Sequence, residues 1–353
     1  MFTTNQNTPP VSADFLTAAL AQKFGELHFK IDPHSGMIAI IAIHSTHRGP
    51  ALGGCRFIPY QHTHDAILDV MALAKGMSYK SAMANLPLGG GKGVIIQPPG
   101  VYDRQAYMHQ FGAFVDSLNG RYITALDSGT FLDDMDLIAQ HTPHVASLSS
   151  QSGDPAPSTA LTVLRGIQAA ALFKLDRHEL SGLHVAIQGL GHVGYALAEH
   201  LHTLGVRLSV ADRHAPHVER AVRAFGATAV PYQQIHQVPC DIFSPCALGG
   251  VINEQTIDEL QTTIIAGGAN NQLADPSMGE RLHQQGILFA PDYVINAGGV
   301  IFAASKYLGT PQALVLQQIE QTYTTLLDVF YTSLRQNKPT PVIADAMAQE
   351  RLG

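Results

Sequence analysis

Three side chains in the first 130 residues could do chemistry together: Lys80 in GMSYKSAMA, Lys92 in LPLGGGKGVIIQPPG and Asp127 in ITALDSGT. The lysines are 12 residues apart (92 − 80), one near a helix end and one just before a strand. Two cations and a carboxylate suit an amino acid or a 2-oxo acid. One lysine can hold an α-carboxylate. The other can act as a base if glycine-lined, water-poor surroundings bring its proton loss from about 10.4 toward about 7–8. On this reading the glycines around Lys92 admit substrate and leave the ammonium without a counter-ion. A phosphate loop does not fit the stretch. That motif wants glycine where Leu86 stands, Ser or Thr where Gly93 stands, and a helix where Val94-Ile95-Ile96 follows.

A second constellation lies in LHVAIQGLGHVGYALAEHLHTLGVRLSVADR, residues 183–213. An apolar strand over 185–188 runs into Gly189-Leu190-Gly191-His192-Val193-Gly194, then a helix over 195–204 and a strand over 206–211 ending on Asp212. The acid falls 21 residues after Gly191 (212 − 191), in the strand–turn–helix–strand context that dinucleotide binding requires. Gly189 permits the tight turn, Gly191 lets backbone approach a pyrophosphate at the helix N-terminus, and Gly194 lets helix and strand pack closely. Asp212 can accept ribose hydroxyls and repel a 2′-phosphate, which favours NAD. Arg213 beside it could receive that phosphate, so NADP stays open. A structural βαβ unit without ligand is the rival reading.

The elements that must position these residues fall into two domains. With 353 residues, 46% hydrophobic and 14% charged, the chain has globular composition and length for two cores. The polar, Pro- and Gly-containing stretch 149–159 reads as a linker. It separates an N-terminal α/β substrate domain (1–148) from a Rossmann-type, doubly wound dinucleotide-binding domain (149–324), with the active-site cleft between them. Helices from about 325 to 353 are expected to pack back on the first domain. Strands are expected at 37–45, 92–97 and 121–128, with helices at 64–84 (interrupted at Gly76), 106–119 and 133–141. In the second domain a helix is expected over 160–173, strands over 241–243, 263–266 and 287–289, and final helices over 311–334 and 340–350. The glycine–asparagine segments AGGANNQL (266–273) and VINAGGVI (294–301) read as loops ending strands, where parallel sheets bind ligands. Residues 1 to about 12 read as a loose polar arm.

Net charge is −7 without a basic run, which argues against nucleic acid and anionic membrane as partners. No stretch reaches 18 apolar residues, and the start lacks a signal peptide's basic and apolar regions, so a cytoplasmic protein is expected. The three cysteines, Cys55, Cys240 and Cys246, suggest a reducing compartment. Among the 18 histidines no pair has a ligand partner at metal-binding spacing, so no metal is expected.

These stretches resemble the glutamate/leucine/phenylalanine/valine dehydrogenase family, and within it the leucine dehydrogenase branch. The likeness runs through AIIAIHSTHRGPALGGCR, LAKGMSYKSAMANLPLGGGKGVII, LNGRYITALDSGT, GLGHVG, DIFSPCALGGVIN, AGGANNQL and APDYVINAGGV. It implies NAD-linked, reversible oxidative deamination of an L-amino acid to its 2-oxo acid and ammonia. It assigns Lys80 to the substrate carboxylate, Lys92 to activating the water that attacks the imine, and Asp127 to the amino group and its protons. Asn296 helps hold the carboxylate. Thr159 contacts the nicotinamide amide, Asn270 lies in a loop reaching the cofactor, and Cys246 and Ala247 stand with the cofactor-binding residues. Glutamate-using relatives carry lysine before the Gly-Gly-x-Arg stretch. Here that position is Leu52, before Gly53 and Gly54, so the substrate side chain should be apolar: a buried carboxylate facing leucine would lose several kcal/mol. Leu52, Pro157, Val294, Ala297 and Val300 are expected in the pocket wall. Leu126 replaces the glutamate that leucine dehydrogenases carry before the catalytic aspartate. Leu, Val and Ile are the first choice of substrate, with Trp or Phe as the alternative, since pockets separate methylenes by only about 1–3 kcal/mol. A homo-oligomer, at least a dimer, is expected; a larger assembly is not carried over, because the chain stops at Gly353, short of the tail seen in many relatives.

Two rivals stand against the enzyme reading. A silent nucleotide or amino acid sensor would not need Lys80, Lys92 and Asp127 together. A 2-hydroxy acid dehydrogenase would want a His–acid pair and a carboxylate-binding arginine near the first-domain loops, and neither is evident.

Overall fold

The run Gly89-Gly90-Gly91-Lys92 is extended strand, and three neighbouring segments pack directly onto it. A Cβ on Gly90 would stand 2.0 Å from the Ser78 backbone nitrogen, one on Gly91 2.9 Å from the Tyr122 ring, and one on Gly93 2.8 Å from the Phe111 ring. The glycines therefore make room for protein rather than for ligand. This corrects the expectation that they line an approach for substrate.

The computed structural model describes residues 15–21, 24–151 and 153–353, so the expected polar arm lies outside the described residues. The chain divides into two compact units. One ends at Ser78 and resumes over Pro87–Gln151; the other takes Tyr79–Leu86 and the chain after Gln151.

In the first unit the order is α1 (Phe15–Ala21), β1 (Glu26–Asp32), β2 (Met37–Ser45), β3 (Ala51–Ile58), α2 (Thr63–Met83), β4 (Gly89–Ile96), α3 (Arg104–Asp116), β5 (Tyr122–Leu126) and α4 (Leu132–Ala139). The mixed sheet runs β1-β2-β4-β3-β5, with β3 parallel to both β4 and β5. Two strands, β1 and β3, were not expected: β1 carries His28, Lys30 and Asp32, and β3 carries Gly53-Gly54, which depresses strand propensity. The interruption at Gly76 does not occur, and α2 is continuous. Its buried residues Ala66, Val70, Ala74, Ser78 and Ala82 recur every four positions through the glycine. Burial of that stripe outweighs glycine's cost of about 1 kcal/mol in a helix.

The second unit contains α5 (Ala156–Leu175), β6 (His184–Gln188), α6 (His192–Thr203), β7 (Arg207–Ala211), α7 (Ala215–Phe225), β8 (Thr228–Ala229), β9 (Cys240–Pro245), β10 (Thr262–Ile265), α8 (Ser277–Gln284), β11 (Leu288–Phe289), α9 (Asp292–Ile295), α10 (Gly298–Leu308), α11 (Gln312–Gln336) and α12 (Thr340–Leu352). All neighbouring strands of its sheet are parallel, in the order β11-β10-β9-β6-β7-β8. That is the Rossmann strand order, with the switch point between β6 and β9. VINAGGVI is not a loop ending a strand. It is the junction of α9 and α10, because β11 has already ended at Phe289. The closing helices pack within this unit, α11 against α5 and α12 against α8 and β11. From α12, Gln349 donates to the Tyr79 hydroxyl (2.8 Å) and Arg351 to the Met83 carbonyl (3.2 Å).

Candidate active site

Strand register brings the first group together. Cys55 pairs with Gly93 on β4 and with Leu126 on β5, so Gly54 lies level with Lys92 on one side and Ala125 on the other. With no side chain at Gly54, the side chains flanking it can meet. Lys92 Nζ stands 2.5 Å from Asp127 Oδ2. A Cβ on Gly54 would come within 2.8 Å of Asp127 Cβ and 2.5 Å of the Leu126 carbonyl oxygen. The turn carrying Asp127 is pinned by Thr130, whose hydroxyl accepts from the Asp127 N–H (3.0 Å) and contacts the Cys55 carbonyl (3.0 Å).

Lys92 is thus a buried cation with a counter-ion, which overturns the expectation that the glycines leave it without one. Parallel register carries the carboxylate to it from β5, a relationship that a local reading of GGGK does not contain. Burial alone would push the Asp127 carboxyl up, but Lys92, then Arg56 and a Ser128 backbone N–H, outweigh it and hold the group below its ordinary range.

Sequence reasoning assigned no role to Arg56, Asp69 or Tyr60. Arg56 Nε donates to Asp127 Oδ2 (3.3 Å) and Nη1 to Asp69 Oδ2 (2.8 Å), while the Tyr60 hydroxyl donates to that same Asp69 oxygen (2.6 Å). The signal lay in the strand: residues 54 and 56 share a face, and Arg56 is the next step along the register that leads to Asp127.

The second group is in the second unit. Lys80, in the last turn of α2, donates to Asn270 Oδ1 (3.2 Å), and Asn296 Nδ2 donates to the same oxygen (2.8 Å). Asn296 Nδ2 also faces the Gly268 and Ala269 carbonyls, so the amide cannot turn over without setting oxygen against oxygen. Its own Oδ1 is buried and finds no hydrogen-bond partner among the described residues. Of the expected wall residues, Leu52, Val294, Ala297 and Val300 are buried and Pro157 is exposed, with Val294 inside the unit's main core cluster. The Thr159 hydroxyl donates to the Pro155 carbonyl (3.2 Å) in the first turn of α5.

The glycine turn has the geometry its sequence predicts. Gly189 has φ +96°, and a Cβ there would collide with Ala247. A Cβ on Gly194 would stand 1.9 Å from the Gly189 carbonyl oxygen. Around Gly191 there is open space, a cradle that a side chain would fill, at the N-terminus of α6. Cys246 and Ala247 follow β9 beside this turn, with Cys246 N donating to the Gln188 carbonyl (2.7 Å). Asp212 Oδ2 accepts from the Leu190 N–H (2.6 Å) and Oδ1 from the His214 N–H (2.8 Å). Arg213 stacks on the Tyr232 ring, 5.0 Å from its centroid. His192 Nδ1 lies 3.0 Å from Asp154 Oδ2. These residues fit a dinucleotide: an open cradle at a helix N-terminus, at the switch point of a parallel sheet, with a carboxylate ending the next strand. No cluster suited to a metal ion occurs among the described residues, and no described helix is long and apolar enough to cross a membrane.

Comparison with known proteins agrees with this geometry. Residues 22–144 match the family model described as Glu/Leu/Phe/Val dehydrogenase, dimerisation domain, and residues 209–348 the model described as Glutamate/Leucine/Phenylalanine/Valine dehydrogenase. The leucine dehydrogenase of Geobacillus stearothermophilus is 48% identical over 332 residues, 93% of this chain and 90% of that protein. The L-tryptophan dehydrogenase of Nostoc punctiforme is 45% identical over 315 residues, 89% of each chain. A crystal structure of L-tryptophan dehydrogenase from that organism superposes with a TM-score of 0.88 at 40% identity, covering 96% of this chain and 98% of that one. The chain belongs to the glutamate/leucine/phenylalanine/valine dehydrogenase family.

Proposed function

We propose that this amino acid dehydrogenase catalyses the NAD-dependent, reversible oxidative deamination of a neutral, apolar L-amino acid of the Leu/Val/Ile class, releasing the 2-oxo acid and ammonia. The observation that carries the reading is the buried Lys92–Asp127 pair, set across Gly54 by three parallel strands. Asp127 takes the protons of the substrate amino group, and Lys92 serves the water that attacks the imine. Lys80 holds the substrate carboxylate. Asn296 contributes by fixing the Asn270 oxygen that receives the Lys80 ammonium, which aims the cation.

The cofactor supplies the hydride acceptor. The turn from Gly189 to Gly194, with Cys246 and Ala247 beside it, would hold the pyrophosphate and Asp212 the adenosine ribose. Thr159 and Asn270 belong to the nicotinamide end. Asp212 makes NAD the preferred form, and Arg213, beside it on the exposed side, leaves NADP as a slower alternative.

Leu52 supports an apolar substrate, because it is buried where a lysine would be needed to pair a side-chain carboxylate. A second reading, an aromatic L-amino acid, rests on Leu126, an exposed apolar residue that precedes Asp127 where the resemblance to leucine dehydrogenases expects a glutamate. The protein works in the cytoplasm as a homo-oligomer, at least a dimer. A reductive amination panel tests the reading: ammonia, NADH and the 2-oxo acids corresponding to Leu, Val, Phe, Trp and Glu, repeated with NADPH. Turnover of the Leu and Val acids above the aromatic ones supports the first reading, and the reverse order the second. Turnover of the Glu acid alone would overturn both.

A further inference from the structure

We infer that Arg56 is a positioning residue for the reaction, a permanent cation that keeps Asp127 compensated while Lys92 gives up and regains its proton. The inference rests on the proposed roles of Lys92 and Asp127.

Asp127 Oδ2 faces two cations, Lys92 Nζ at 2.5 Å and Arg56 Nε at 3.3 Å. Their behaviour differs. A lysine ammonium can lose its proton in a shielded site, whereas guanidinium keeps its charge throughout the working pH range. If Lys92 were the only partner, its neutral form would strand a buried carboxylate, at a cost comparable to breaking a buried ion pair. Arg56 removes that cost and also competes with Lys92 for the same oxygen. Asp127 therefore keeps a cationic partner whichever form Lys92 is in.

Arg56 is itself held at its far end. Asp69 on α2 accepts from Nη1 at 2.8 Å, and Tyr60 donates to that same Asp69 oxygen at 2.6 Å. The guanidinium thus bridges two carboxylates and has little freedom to leave Asp127. The charged and titratable groups facing the pair are Lys92 on β4, Arg56 and the buried Cys55 on β3, Tyr122 on β5, and beyond Cys55 the Arg104–Asp134 pair. Cys55 and Tyr122 are fully buried, and burial drives both upward, so they stay neutral through the working range. Among these groups Arg56 is the cation that touches Asp127 without titrating.

The test is the pH profile of kcat/KM for deamination of the best amino acid found in the panel above, in which the rising limb reports the base of the free enzyme. Arg56→Gln should move that limb to higher pH by about one unit, the size expected for one charge a few ångströms away in partly shielded surroundings. Arg56→Lys should restore most of the shift. Asp69→Asn removes a negative charge behind Arg56 and should move the limb the other way, by less. A residue that only supports the fold would lower kcat in all three variants and leave the limb in place; that result overturns the inference. Where Arg56→Gln turns over too slowly, the 13C-carboxyl titration of Asp127 in the folded variant replaces the profile. It should rise relative to wild type, and an unchanged titration also overturns the inference. If the wild type itself deaminates no amino acid, it is the proposed function that fails.

Discussion

Lys92 and Asp127 meet across a glycine. They approach from opposite sides of β3, one from β4 and one from just past the end of β5, and the residue between them is Gly54. A Cβ at that position would press on the Leu126 carbonyl and the Asp127 Cβ, and so on the backbone that carries the carboxylate. The glycine is thus a geometric requirement of the pair, and so are its neighbours, each of which admits a packed backbone or ring.

Gly54→Ala tests this directly. The new methyl would lie 2.5 Å from the Leu126 carbonyl oxygen, and backbone on a central strand cannot yield cheaply. Overpacking of this kind costs about 1–3 kcal/mol. On the proposed roles, activity should fall more than stability, about 100-fold, because displacing the Asp127 carboxylate by about an ångström removes the aligned geometry. Thermal unfolding and kcat measured together decide it. A variant with wild-type kcat would show that the pair does not depend on this gap.

Lys92→Ala should abolish amination and deamination, to below about 1% of wild type, while NADH still binds with its fluorescence change. It should also destabilise the first unit at pH 7, but by less than the roughly 3–5 kcal/mol of a buried ion pair broken outright, since Asp127 keeps Arg56 as a cationic partner. The sign of the pH dependence follows from the lowered Asp127 carboxyl. Its paired state stabilises the fold above the ordinary carboxylate range near pH 4, and that contribution is lost as pH falls through the folded value. The stability gap between wild type and Lys92→Ala should therefore narrow below about pH 4. A gap that stays constant down to pH 3 would mean Asp127 is not the group left exposed.

Much of this was legible in the sequence, and what was not has a physical reason. The glycine turn between Gly189 and Gly194 could be read because its determinants are local: a strand, a tight turn and a helix within some 20 residues. Lys92 and Asp127 could be picked out singly, but their contact could not, since it depends on the register of β3, which Gly53 and Gly54 disguise as a loop. Arg56 was hidden for the same reason; without β3 as a strand, its side chain has no direction. Glycine and asparagine around Asn296 suggest a turn, whereas Gly298 starts α10 with a Cβ position 2.1 Å from the Ser158 carbonyl oxygen. There the glycine serves helix-to-helix packing.

Leu52→Lys should admit glutamate. Leu52 is buried on β3, immediately before Gly53 and Gly54, so a lysine there would be a shielded cation in need of a partner. A substrate side-chain carboxylate supplies one, and deamination of glutamate should rise at least tenfold, about 1.4 kcal/mol, while leucine turnover falls. Steady-state kcat/KM for the two substrates measures the switch. Loss of leucine turnover with no gain for glutamate would remove Leu52 from the specificity pocket.

His44 gives a pH dependence outside the Lys92–Asp127 pair. Its ring is half-buried on β2, with Nδ1 2.9 Å from the Ser78 hydroxyl, and burial, assisted by Lys75, lowers its titration to about 4. The unfolded chain protonates this histidine near 6.5. Between those two values the unfolded state binds more protons than the folded one, so stability falls as pH drops from about 6.5 to about 4. Allowing for the part of the ring that stays in water, the loss from this group is on the order of 2 kcal/mol. His44→Gln keeps a polar group near Ser78 and removes the titration. Urea unfolding at a series of pH values should show a shallower decline for the variant across that window, with the two curves converging toward pH 4. Parallel curves would mean that the imidazole is not held neutral by the fold, and that the Ser78 contact, which sits against Gly90, is not sensitive to acid through this ring.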